Sequence, residues 1–315
     1  MPYMTYALVT PAKNEKQFIE RTIQSVLAQN CRPLKWVIVD DGSSDGTADI
    51  VAQFAQRHDF IVLLRRNGSN KRSFVSKVEA FNLGLSALKD TQCELIGNLD
   101  ADMVLRPNYY ANMIAAFAND QKLGVAGGTV FHRTGSEYET NDVTVDSVAG
   151  AVQLFRRECF EEIGGYISAE FGGIDAGVED AAAEIVARMH GWRVRKIQDN
   201  PVYEERETGS ARHGRLVGRF KEGIEFHCLG YSARFFFLRC LYRFNERPAF
   251  LGSFLSMLGY MSAKIRHLPI CLTPEATNYL RSEQSQKIRA ILTLKEPTSL
   301  LGVIRRIPHK KGTNA

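Results

Sequence analysis

Apolar runs and helical repeats alternate along the first two hundred residues. Tyr6-Ala7-Leu8-Val9-Thr10 reads as a buried strand stopped by Pro11. Phe18, Ile19, Ile23, Val26 and Leu27 then recur at helical spacing between Lys16 and Gln29. Trp36-Val37-Ile38-Val39 predicts a second strand, followed by a helix over about 48–57. A third strand covers 60–64, a helix 75–88, and a fourth strand runs to Asp100. This alternation with short loops is the pattern of an α/β protein with a mostly parallel sheet flanked by helices. Further on, the pattern predicts a strand over about 124–131 and a polar loop, Arg133 to Asp142. A helix opens near Arg156 and is stopped by Gly164-Gly165, and another runs through Glu184 and Arg188 to Gly191-Trp192.

In such sheets ligands bind at the carboxyl ends of the strands. Three of these ends carry Pro11 and Glu15, Asp40 and Asp41, and Asp100 and Asp102, so the three polar clusters are expected to converge on one crevice. Asp100-Ala101-Asp102 matters most. Strand alternation would turn the two carboxylates to one side, where they repel unless a cation sits between them. A hard divalent ion holding a diphosphate, Mg²⁺ or Mn²⁺, suits that arrangement.

The chain of 315 residues has no G-x-G-x-x-G after the first strand and no P-loop, which removes the main support for dinucleotide and P-loop readings. Its six cysteines are scattered without a C-x-x-C pair, the usage expected of reduced thiols in a cytoplasmic protein. The start carries no secretory-signal pattern. Charge is uneven. Residues 1–200 hold about five more acidic than basic side chains, and residues 201–315 about ten more basic than acidic. Such a basic half suits nucleic acid or an anionic membrane surface. Its aromatics sit in apolar runs, away from a base-stacking pattern, so no nucleic-acid partner is expected.

Pro11-Ala12-Lys13-Asn14-Glu15, the run Val39-Asp40-Asp41-Gly42-Ser43-Ser44-Asp45-Gly46-Thr47, the segment Lys77-Val78-Glu79-Ala80-Phe81-Asn82-Leu83-Gly84 and Asp100-Ala101-Asp102 occur in this order. Together they resemble the nucleotide-sugar-binding half of family 2 glycosyltransferases, which have the GT-A fold. The resemblance implies that Pro11, Glu15, Asp40, Asp41, Lys77 and Asp100 face a nucleoside diphosphate sugar, most readily a UDP-sugar, and that Asp102 with Asp100 binds the metal. Asp41 and Glu15 would accept from a base imide or a ribose hydroxyl, and Lys77 would offset diphosphate charge.

The family's general base is the Asp of a Glu-Asp pair opening a helix that ends in Gly. Asp180, eleven residues before Gly191, resembles that position, with Asp175 as runner-up and Glu179 as an orienting or capping group. The resemblance also implies inversion at the anomeric carbon. One departure stands out: many relatives carry a metal-binding His after the next strand, whereas here Val202-Tyr203-Glu204-Glu205-Arg206-Glu207 has none, and the third ligand is left open.

From Leu216 the composition changes. Aromatic residues mix with arginines over 220–244, and residues 249–263 carry no charge, too short a run to span a bilayer. An interfacial or re-entrant segment and a buried helical hairpin are the alternatives. The expected organisation is a catalytic domain over 1–215, a helical, membrane-associated region over 216–300 and a basic tail over 301–315. The expected function is metal-dependent sugar transfer to a glycan or polyprenyl-linked acceptor, on the cytoplasmic face of the cell membrane. The alternatives are a catalytically inactive membrane-associated partner that binds nucleotide sugar and a nucleotidyltransferase.

Overall fold

The computed structural model describes residues 4–68, 73–140, 146–167, 170–171, 174–175, 177–207, 214–243 and 250–293. The chain divides into two compact units: residues 1–168 with 179–208, and residues 169–178 with 209–315.

In the first unit β1 (Tyr6–Ala12), α1 (Ile19–Leu27), β2 (Lys35–Asp40), α2 (Thr47–Ala55), β3 (Ile61–Arg65), α3 (Phe74–Ser86) and β4 (Leu95–Asn98) follow one another. Then come β5 (Met103–Leu105), α4 (Tyr109–Asn119), β6 (Leu123–Thr134), β7 (Glu137–Glu139), β8 (Leu154–Arg156) and α5 (Arg157–Glu162). After the short pair β9 (Glu170–Phe171) and β10 (Ile174–Asp175), which belongs to the second unit, α6 (Glu179–Met189) and β11 (Arg193–Glu207) complete the first. The sheet order is β3-β2-β1-β4-β8-β6-β11-β5, with β7 added to β6. β3, β2, β1 and β4 are parallel; β8 then runs antiparallel to both β4 and β6, so the sheet as a whole is mixed.

The inner strands read as unbroken apolar runs because both faces are covered. Leu8 and Ile38 pack into a core with Ile19, Ile23 and Phe117. Their strand neighbours Val9, Val37 and Val39 point the other way, into a second core with Phe81, Phe155 and Phe160.

Three local expectations change. Pro11 does not end β1, which continues to Ala12 in register with Asp40. Val9 accepts from Leu99 on the β4 side, so Pro11, two residues on, turns its missing N–H to that side, where the β1–β4 ladder has already ended at Asn98. The fourth strand ends at Asn98, and Asp100 and Asp102 lie in the turn before β5. The polar loop after Phe131 is a hairpin as far as it is described, with Arg133 opposite Tyr138.

In the second unit, α7 (Arg215–Cys228), α8 (Ala233–Tyr242), α9 (Leu251–Ile265) and α10 (Pro274–Thr293) follow in order. α7 and α9 cross backbone to backbone: a Cβ on Gly223 would collide with the Ser256 carbonyl, and one on Gly259 with that of Phe220. The face that α9 buries is therefore small or polar, Gly252, Ser253, Ser256 and Gly259 together with Tyr260 and Ala263. Five of its large apolar side chains, Leu251, Phe254, Leu258, Met261 and Ile265, are exposed along one stripe, while Leu255 and Met257 are half-buried. As far as it is described, the uncharged stretch thus buries one face and exposes the other. The basic tail lies outside the described residues.

Candidate active site

The ends of β1 and β2 are tied together before any ligand arrives. Asn14 adopts a left-handed backbone conformation, which asparagine tolerates better than most residues. It donates its N–H to Ser43 Oγ (2.9 Å) and accepts from Ser44 N–H at Oδ1 (2.9 Å). Glu15 N–H donates to Thr47 Oγ1 at 2.8 Å, and Asp45 takes the N–H of Lys16 at 3.0 Å. Much of the Asp40–Thr47 motif is therefore loop scaffolding.

Asp41 lies at the bottom of this scaffold, 4 % exposed. Its Oδ2 accepts from Ser76 Oγ at 2.6 Å, Lys13 Nζ donates to its carbonyl at 2.8 Å, and Arg66 Nε is 3.2 Å from Oδ1. Arg66 is off line for a hydrogen bond, so Asp41 Oδ1 is buried without a donor. The same holds for Asp40 Oδ1, although Asp40 Oδ2 accepts from Ser43 N–H at 3.3 Å. A buried acceptor left without a donor, as Asp40 Oδ1 is, costs roughly 1–3 kcal/mol, whereas Asp41 Oδ1 keeps the Arg66 charge beside it. Pro11, half-buried, sits in β1 beside them.

Asp100 and Asp102 take different partners. Asp100 Oδ2 is 2.9 Å from Lys77 Nζ, and its Oδ1 accepts from Asn98 Nδ2 at 3.0 Å. Burial alone would lower the Lys77 ammonium, but Asp100, then Glu179 and Asp180, hold it well above the ordinary lysine range. Asp102 Oδ2 accepts from Arg206 Nε at 2.9 Å, while the other arm of Arg206 reaches Glu15. Burial, with Asp100 and Glu204, raises the Asp102 carboxyl, and Arg206 offsets part of that rise.

Lys77, Val78, Phe81, Asn98, Gly150, Tyr166, Glu179 and Asp180 line one cavity. Asp180 stands at the start of α6, its Oδ1 taking the Ala181 N–H at 2.7 Å and its Oδ2 the Gly150 N–H at 3.1 Å. Burial raises its carboxyl against those hydrogen bonds and Lys77, and pushes Glu179 up to about 7. Behind them Tyr166 donates to Gln153 Oε1 (2.8 Å), and Gln153 Nε2 donates to Glu184 (3.0 Å), whose carboxyl burial pushes up to about 7. The cavity unites Lys77 with Asp180, and Asp100 joins through Lys77. The side chain of Asp175 lies outside the described residues. Sequence reading gave no role to Asn98, Gly150, Gln153, Tyr166 or Arg206.

Among the described residues no three His, Cys, Asp or Glu side chains gather as a metal site. Glu204 is taken by His132, and Glu205 by Arg21 and by Tyr138 Oη at 2.7 Å. Asp102 and Asp100 are engaged too, by Arg206 and by Lys77. As an oxygen-only pair they fit Mg²⁺ or Mn²⁺ in the mode where one or two carboxylates and the substrate's phosphates complete the shell.

A family model described as Glycosyl transferase family 2 matches residues 7–165. The poly-beta-1,6-N-acetyl-D-glucosamine synthase of Staphylococcus aureus is 27 % identical over 202 residues, covering 58 % of this chain and 45 % of that one. The Staphylococcus epidermidis enzyme of the same name is 29 % identical over 171 residues, 48 % of this chain and 39 % of its own. The chain thus spans about half the length of the curated relatives it matches. Among solved structures, a mannosyltransferase of Pyrobaculum calidifontis in complex with GDP-Man and Mn²⁺ superposes with a TM-score of 0.53 at 17 % identity, covering 96 % of this chain and 79 % of that one. S. aureus TarS in complex with UDP-GlcNAc gives 0.52 at 16 % identity, covering 73 % and 68 %. These structures share the GT-A fold with this chain.

Proposed function

The chain belongs to glycosyl transferase family 2, and from that membership we propose that it moves a hexose or N-acetylhexosamine from a nucleoside diphosphate sugar to a glycan or polyprenyl-linked acceptor, inverting the anomeric carbon. The observation that carries this reading is the cavity shared by Lys77, which is paired with Asp100, and Asp180. Asp180, fixed by two backbone N–H groups, takes the proton from the acceptor hydroxyl as that oxygen attacks the anomeric carbon from the face opposite the leaving diphosphate. The raised carboxyl makes it a better base than an ordinary aspartate. Lys77 sets a positive charge beside the departing diphosphate, and the donorless oxygens of Asp40 and Asp41 suit a base N–H or ribose hydroxyl. UDP-GlcNAc is the donor to try first, because the relatives named above make a GlcNAc polymer and the TarS complex holds UDP-GlcNAc. A divalent ion held by Asp102, Asp100 and the donor phosphates would supply Lewis-acid charge to the leaving group.

The proposed enzyme works peripherally at the cytoplasmic face of a membrane. The exposed apolar stripe of α9, flanked by Lys264 and Arg266, supports this, and no described helix is long and apolar enough to cross a bilayer. The deciding experiment measures donor binding and transfer for Asp180→Asn and Asp175→Asn, with Mn²⁺ or Mg²⁺ and a panel of nucleotide sugars. Asp180→Asn should keep donor binding and lose about 10²-fold or more in transfer, with Asp175→Asn much milder. The reverse ranking would move the base to Asp175. Nucleotide-sugar binding without turnover in the wild type would make the chain an inactive partner, and transfer of a nucleotidyl group would make it a nucleotidyltransferase.

A further inference from the structure

We infer that Arg206 is a resident counter-cation that competes with a divalent metal for Asp102, so that the metal binds tightly only together with donor phosphate. This rests on the reading of Asp102 as a metal carboxylate. Arg206 stands near the end of β11, whose backbone is pinned to the Asp100–Asp102 turn by the Glu205 N–H donating to the Asp102 carbonyl at 2.9 Å. Its guanidinium bridges two carboxylates, Nε to Asp102 Oδ2 at 2.9 Å and the other arm to Glu15, and lies 4.7 Å from the ring centroid of Phe18. The side chain of Arg206 is 17 % exposed, that of Glu15 3 % and that of Asp102 11 %, so solvent screens the triad poorly.

The guanidinium compensates charge on both carboxylates that it bridges. An arginine keeps its proton at any working pH, and its planar fork suits this two-carboxylate bridge. A dication arriving at Asp102 therefore meets a carboxylate whose charge is already compensated and whose Oδ2 is already engaged. It also meets repulsion from a guanidinium a few ångströms away. The diphosphate of a donor reverses that balance, because its negative charge is shared between the metal and Arg206. Metal and nucleotide then strengthen one another's binding, and an ion without nucleotide is held loosely.

The test titrates Mn²⁺ alone into the full chain, following the free-ion paramagnetic resonance signal, and repeats the titration with UDP. Arg206→Gln should bind Mn²⁺ alone at least tenfold more tightly than the wild type, and UDP should improve its Mn²⁺ affinity less than it improves the wild type's. Arg206→Lys, too short to span both carboxylates, should fall between the two and serves if the glutamine variant does not fold. Unchanged or weaker Mn²⁺ affinity in a folded variant overturns the inference. Asp102→Asn separates the two readings. If it binds Mn²⁺ as the wild type does, the assignment of Asp102 to the metal fails, and this inference with it. If it loses Mn²⁺ while the Arg206 variants gain nothing, only the role of Arg206 fails.

Discussion

A Cβ on residue 150 would lie 2.6 Å from Oδ2 of Asp180, so Gly150 and the Asp180 carboxylate claim the same space. The glycine also donates its N–H to that oxygen, in the short 3₁₀ turn Gly150–Val152 that precedes β8. Absence of a side chain is thus what lets the backbone hold the carboxylate.

Gly150→Ala should push Asp180 off this hydrogen bond. Overpacking of this kind costs about 1–3 kcal/mol in stability. Transfer should fall roughly ten- to a hundredfold through the displaced base, while donor affinity, read by calorimetry with UDP, stays within about threefold. Full activity in Gly150→Ala would show that the position of Asp180 is not held by this contact.

How much of this was legible beforehand follows from the range of each interaction. The order of strands and helices is written in local periodicity, and both-face burial of β1, β2 and β4 produces the apolar runs that announce them. The convergence of Lys77 with Asp180 came from family motifs, since nothing local links residues 103 positions apart. Strand alternation does not reach Asp100 and Asp102, because β4 stops at Asn98 and both lie in the turn that follows. Arg206 pairs with Asp102 across 104 residues and sits in a run of glutamates, where its charge looks like a routine counter-ion. The orientation of α9 was also hidden. Its sequence reads as an apolar helix, and only the close crossing at Gly223 and Gly259 reveals that the small face is buried.

Glu184 offers a stability test that needs no substrate. Burial raises its carboxyl from the ordinary value to about 7. A raised carboxyl favours the folded state most below its unfolded value near 4.5, and that contribution is lost as pH rises through 7. Glu184→Gln removes the titration and retains an oxygen to accept from the Val148 N–H, now at 2.7 Å. Relative to the wild type, the variant should gain stability between pH 5 and pH 8, by about 1–3 kcal/mol in urea unfolding. A difference that does not change with pH would mean that Glu184 is ionised in the folded protein at pH 5 as well.

The exposed face of α9 gives the test of location. Leu251, Phe254, Leu258, Met261 and Ile265 are 38–71 % exposed, and Phe250 just before them 57 %. Small residues on the buried side and large apolar ones outside is the arrangement of helices that pack among lipids. At fifteen residues α9 is too short to span, so its apolar stripe should lie in the interface, with the basic side chains at headgroup level. Vesicles of phosphatidylcholine with phosphatidylglycerol should therefore pellet the full chain, neutral phosphatidylcholine vesicles should do so weakly, and high salt should reduce the difference. Fully burying a Leu or Phe is worth about 1.5–3 kcal/mol. Even partial insertion then predicts that Phe254→Ser with Leu258→Ser weakens vesicle binding at least tenfold. Both side chains face outward, so the thermal midpoint should be unchanged. Equal pelleting of the double variant would remove α9 as the docking face. Equal pelleting of the wild type with neutral and anionic vesicles, or with neither, would remove the anionic membrane as its partner.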